Sequence, residues 1–289
     1  MKYSTFIIYL FFSCQALGQQ IFSGKIIDSK TNSGIPFASI GLLKENHGTT
    51  ADKNGFFVIN KIENKPDTLI ITSVGYKKME LLLTNSFKES FISLEKDIKI
   101  LEQVYVNSKR ESITLNKFKK CTEQYYISNN EYFSQLAQFF EVENKNSYLQ
   151  EISICTNGKN CTFRLHIYEY NDTLFCPGKE ITDSSIIVNI NKTKQKINLK
   201  NFKIKIPSHK FYVSIEWLKL KENETIFKGK LGDKNSKTIM FNPGISYDVV
   251  NKELGLNKNR IWILNFNGKW KNANDFLKEN NFLISIVLK

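Results

Sequence analysis

The run GTTADKNGFFVINKIENKPDTLIITSVGY, from Gly48 to Tyr76, decides the fold. Within it, Asp52-Lys53-Asn54-Gly55 places Asp at the first turn position and Gly at the last. Asp can hydrogen-bond its own turn backbone, and Asn and Gly tolerate positive φ. The residues that follow alternate, with Phe57 and Ile59 on one face and Phe56 and Val58 on the other. A period of two is the signature of a strand, and the turn before it predicts a hairpin. Pro66-Asp67 then opens a second run, Leu69 to Val74, which Gly75 interrupts just before Tyr76 as a bulge or close backbone approach requires. Periodicity alone yields a β-rich module and nothing more specific.

The order of the segments says more. SGKIIDSKTNSGIPFASIGLL, from Ser23 to Leu43, comes first, then GTTADKNGFF and LIITSVGY, and LEQVYV closes the series at Leu101 to Val106. In this order they resemble the carboxypeptidase-regulatory-like domain over about residues 20 to 106, with Ala51 standing where that family often has Thr. The resemblance implies a seven-stranded sandwich of the transthyretin-like or immunoglobulin-like kind. It also implies an accessory module without catalytic residues of its own.

A chain of 289 residues exceeds the usual single domain, so a second is expected. The sequence divides into a leader (1–18), the first domain (19–106), a polar linker or short helix (107–133) and a C-terminal β-sandwich or jelly roll (134–289). The whole reads as all-β. An apolar share of 41% is enough for packed cores and argues against disorder. The net charge of +13 invites a nucleic-acid partner, but only Arg110, Arg164 and Arg260 are arginine. The remaining basic residues are scattered lysines, which suit a solvated β surface better than base or phosphate readout. No nucleic acid is expected.

Met1 to Gly18 has the features of a targeting segment: Lys2, the apolar run Phe6 to Phe12, and Ala16-Leu17-Gly18 as a small-x-small cleavage site. Export to the periplasm or outer-membrane surface follows as an expectation, with Cys14 a candidate lipid anchor. No later apolar run has the length of a membrane-spanning helix. Cleavage removes Cys14 and leaves Cys121, Cys155, Cys161 and Cys176, an even set compatible with disulfides. Cys155 and Cys161 flank Thr156 to Asn160, which contains Asn-Gly and reads as a hairpin tip. A disulfide across it is the favoured pair.

The second half alternates clearly. In Thr162 to Tyr170, Phe163, Leu165 and Ile167 share one face while Arg164, His166 and Tyr168 share the other. Phe211, Val213, Ile215 and Trp217 repeat the pattern, and Phe202 to Ile206 reads as a further strand. Arg164, His166 and Tyr168 form a polar row able to hold an anion or a sugar hydroxyl, although a solvated outer face looks the same. Trp217, Trp262, Trp270, Tyr212 and Tyr247 offer an aromatic platform, with Trp262 and Trp270 the expected exposed members. Glu216 and Asp248 could pair as glycosidase carboxylates, at a separation that nothing in the sequence sets.

No His-Glu-x-x-His, Gly-x-Ser-x-Gly or phosphate-cradling Gly-rich loop occurs. No metal, cofactor or catalytic residue is assigned, and the expectation is not an enzyme. The chain is expected to bind an envelope protein or a glycan. A glycan- or peptide-hydrolysing enzyme is the alternative.

Overall fold

A computed structural model describes residues 20–61, 66–84, 91–97, 111–129, 134–143, 147–231, 234–249, 261–273, 277 and 280–289. The expected leader (1–18), Cys14 with it, and the closing strand Val104 to Val106 lie outside these residues. The first seven strands are β1 (Gln20–Asp28), β2 (Ser39–Leu42), β3 (Gly48–Thr50), β4 (Phe56–Lys61), β5 (Asp67–Thr72), β6 (Met79–Leu83) and β7 (Phe91–Leu94). They form two sheets, β4-β1-β7 and β3-β2-β5-β6. Between them lies a core that includes Ile26, Ile40, Leu42, Phe57, Ile59, Leu69 and Ile71. Each such side chain contributes roughly 1.5–3 kcal/mol when removed from water.

The Asp52 turn forms as the sequence requires: its Oδ1 accepts the Asn54 and Phe56 N–H groups at 2.7 and 2.9 Å, and Gly55 takes φ 86°. The expected hairpin does not form. β3 pairs with β2, and β4 pairs with β1, so the turn carries the chain from one sheet to the other.

The second module is built from β8 (Ile113–Leu115), β9 (Tyr125–Asn129), β10 (Gln135–Glu141), β11 (Leu149–Asn157), β12 (Thr162–Asn171), β13 (Cys176–Glu180), β14 (Ile186–Asn189) and β15 (Lys194–Asn198). It continues with β16 (Lys210–Trp217), β17 (Glu224–Leu231), β18 (Lys234–Val249), β19 (Ile261–Leu264), β20 (Trp270–Asn272), β21 (Asn280–Phe282) and β22 (Ile284–Leu288). One sheet runs β13-β12-β16-β10-β19-β20 with β14 on β12. The other runs β17-β18-β11-β22-β8, joined by β15, β21 and β9. Phe163, Leu165, Ile167, Val213, Ile215 and Trp217 fill the space between the sheets, as their alternation predicts.

Three expectations need correcting. Residues 111–129, assigned to a linker or short helix, contain β8 and β9, which pair with β22 and β18 and so belong to the second module. Phe202 to Ile206 is not a strand: a 3-10 turn at Lys200–Phe202 ends at Lys203 in the left-handed conformation, and only Lys205 bridges to Tyr148. The disulfide joins Cys121 to Cys155, leaving Cys161 and Cys176 free and buried. Cys155 and Cys161 cannot face one another across a hairpin, because β11 and β12 lie in different sheets.

The two modules meet closely at Phe266, in the turn after β19. A Cβ at Gly41 would sit 2.1 Å from the Phe266 carbonyl oxygen, and one at Gly48 would sit 2.1 Å from its ring. Both positions must lack a side chain for this approach. Lys219 completes the contact: its ammonium lies 3.9 Å from the Phe266 ring centroid and donates to the Gly48 carbonyl, while its backbone N–H donates to Thr50 Oγ1.

Candidate functional site

β12 presents Arg164, His166 and Tyr168 on the face of its sheet turned away from the main core. In register beside them, β16 presents Glu216, Ser214 and Tyr212. β10 adds Gln135, Ala137 and Phe139, and β19 sets Trp262 opposite Ala137. β20 places Trp270 opposite Leu264.

In a flat sheet, four strand spacings of about 4.8 Å would put β20 roughly 19 Å from β12. Instead the Trp270 and Tyr168 rings meet edge to face with centroids 5.4 Å apart, and β13 contacts β20 from the opposite edge. The sheet therefore curls around its own outer face. Ala137, Phe139, Tyr168 and Tyr212 form a second small core there, with Tyr170, Trp262 and Trp270 half-buried around it.

The curl turns a face expected to be solvated into a buried one. Arg164 is 1% exposed and His166 4%. Arg164 Nη1 donates to Glu216 Oε2 at 2.9 Å, Nε donates to Ser185 Oγ at 2.9 Å, and Nη2 reaches the first module to donate to the Phe37 carbonyl at 2.6 Å. Phe37 is held at φ 57°, a strained conformation for a bulky residue, and its carbonyl is part of this network. His166 lies between two carboxylates: Nδ1 is 2.8 Å from Glu180 and Nε2 is 2.9 Å from Glu216. Only the imidazolium can donate from both nitrogens. Two positive and two negative groups thus form one neutral cluster, buried except at Glu180. Tyr168 stacks on the His166 ring and donates its hydroxyl to Gln135 Oε1.

Burial opposes the charge on His166, but Glu180 and then Glu216 outweigh it and raise its pKa from 6.5 to about 9. Burial likewise opposes ionisation of Glu216, and Arg164 and His166 outweigh it, holding its carboxyl below the usual value. The two contributions to stability have opposite signs with pH. That of His166 is complete below pH 6.5 and is lost as pH rises through about 9; that of Glu216 is complete above its unfolded pKa and is lost as pH falls through its lowered one. The thermal midpoint should therefore fall from pH 6.5 to 9, and His166→Gln should flatten that slope. An equal slope in the variant would place the titrating group elsewhere.

Arg164, His166 and Tyr168 share a face as their alternation predicts, Glu180 was not among the expected site residues, and Glu216 was expected only as one of a pair of carboxylates. The signal for Glu216 was present: it alternates with Ser214 and Tyr212 opposite the apolar face of β16. Glu216 and Asp248 do not converge. Asp248 is exposed on β18 in the other sheet, whereas Glu216 is already bonded to Arg164 and His166. Of the five expected platform aromatics, Tyr212, Trp262 and Trp270 share the curled face. Trp217 is buried in the main core with Nε1 donating to the Pro243 carbonyl, and Tyr247 packs against that core beside Phe282. Among the described residues, no cluster of three or more His, Cys, Asp or Glu is arranged to hold a metal.

The fold and this site define a two-module all-β protein with a curled, aromatic-lined sheet. The family model of the CarboxypepD_reg-like domain matches its first module, over residues 22–106. No curated protein sequence matches the chain. Among solved structures, it is similar to the cysteine protease and lectin-like domains of Cwp84, a surface layer associated protein of Clostridium difficile, at 13% identity and a TM-score of 0.35. That match covers 54% of this chain and 32% of the other. A clostridial Cwp84 cysteine protease after propeptide cleavage is similar at 11% identity and a TM-score of 0.41, over 92% of this chain and 70% of that one. Likeness of that degree assigns no activity or partner here. The disulfide fits a chain that folds in an oxidising compartment. No helix among the described residues is long and apolar enough to cross a membrane.

Proposed function

We propose that the chain is an exported, non-catalytic envelope protein that binds a partner on the rim of the curled sheet, with a glycan the first candidate and an envelope protein the second. The observation that carries this reading is the half-buried group Trp262, Trp270 and Tyr170 held around a rigid aromatic core. Flat, partly exposed rings on a fixed scaffold can stack on the apolar face of a sugar at little entropic cost. The non-catalytic reading is supported by the state of the nearby charged groups. Arg164, His166 and Glu216 are buried and bonded to one another, which suits a structural cluster better than proton transfer to a substrate.

The test is a glycan-array screen of the chain beginning at Gln19, repeated at high salt. A fragment beginning at residue 134 is unsuitable because it lacks β8, β9 and Cys121. Trp270→Ala and Trp262→Ala are expected to weaken binding about tenfold or more while the fold is retained. Salt-insensitive binding would separate ring stacking from lysine attraction. Release of sugar or peptide by the wild type, abolished in Glu216→Gln, would favour a hydrolase instead.

A further inference from the structure

The outer face of the β4-β1-β7 sheet, unlike the aromatic rim, carries large apolar side chains that are exposed among the described residues. Phe56 is 52% exposed, Val58 57%, Ile21 68% and Phe91 62%. The register makes them neighbours: Phe56 and Phe91 flank Lys25 on either side, Val58 faces Ser23, and Ile21 faces Asn60. At strand spacings of about 4.8 Å, the row Phe56-Lys25-Phe91 spans roughly 10 Å. Contiguous exposure of this kind marks an interaction surface.

We infer that this face rests on an anionic lipid surface. No outward residue on the three strands is acidic, and Lys25 stands at the centre of the row with its ammonium 4.8 Å from the Phe56 ring centroid. Lys53 is exposed in the turn that enters β4. Apolar and aromatic groups interspersed with lysine fit the headgroup boundary, where shallow burial and attraction to anionic lipid act together. The net charge of +13 adds a long-range pull in the same direction. A second copy of the chain fits less well, since a two-fold contact would bring two strongly positive chains together with Lys25 near the axis.

The test is sedimentation of the chain beginning at Gln19 with vesicles of phosphatidylethanolamine and phosphatidylglycerol, using phosphatidylcholine vesicles as the neutral control. Binding is expected to the anionic vesicles, weakening with salt, and to fall about tenfold in Phe56→Ser/Phe91→Ser. These side chains are exposed, so the thermal midpoint should hold. Lys25→Gln provides a second variant, with a smaller loss. Absence of binding at low salt overturns the inference. So does unchanged binding in the Phe56→Ser/Phe91→Ser variant, which would leave scattered lysines as the cause. A photocrosslinker at Phe91 that captures one envelope protein, without vesicle binding, would overturn it in favour of a protein partner.

Discussion

Glu216→Ala is expected to lower the unfolding free energy by about 3–5 kcal/mol, as removal of one partner from a buried ion pair does. The side chain is 2% exposed, and its Oε2 accepts from both Arg164 and His166. Truncation leaves a buried guanidinium and a buried imidazolium facing each other without their shared carboxylate. Glu216→Gln should cost less, because the amide oxygen can still accept one of the two bonds. Replacing Arg164, His166, Glu180 and Glu216 together by uncharged residues of similar volume should recover much of the loss, since the desolvation of all four charges disappears. Urea unfolding midpoints measure all three variants. A Glu216→Ala loss under about 1 kcal/mol would mean that water reaches the cluster and screens it.

Removing the Cys121–Cys155 bond should cost nearly as much. Its cysteines are 34 residues apart, and the chain-entropy model gives about 4 kcal/mol for closing a loop of that length. The segment it ties down includes β8, three residues long at the edge of its sheet, and the approach to β9. Cys155→Ala or full reduction should therefore release 111–124 to proteolysis well before the rest of the second module. Cys161→Ala should leave the bond intact, which peptide mapping of the unreduced chain can establish. A Cys155–Cys161 peptide in the same map of the wild-type chain would contradict the fold of β11 and β12 into separate sheets.

The features legible in the sequence were those set by local period and turn chemistry. The alternation of Phe163, Leu165 and Ile167 with Arg164, His166 and Tyr168 fixes which residues share a face, whatever the sheet does next. The Asp52 turn likewise follows from side chain-to-backbone bonds within five residues. What was not legible depended on pairing at long range. The same turn can close a hairpin or cross between sheets, and only the partner of β4, which is β1, decides it. The polar row read as solvated because nothing in β12 reports that β20 folds back over it. The cysteines misled for a related reason: nearness in sequence favoured Cys155 with Cys161, while the true partner arrives on a segment whose polar composition concealed two short strands.

The absence of a side chain at Gly41 and Gly48, where Phe266 presses against the first module, bears on how such chains can be recombined. A similar domain grafted from another chain would seat here only if it kept both positions bare. This front half is keyed to its own back half, and the pair should turn in solution as a single particle. A ligand caught at one end would then be presented at a fixed bearing to whatever holds the other.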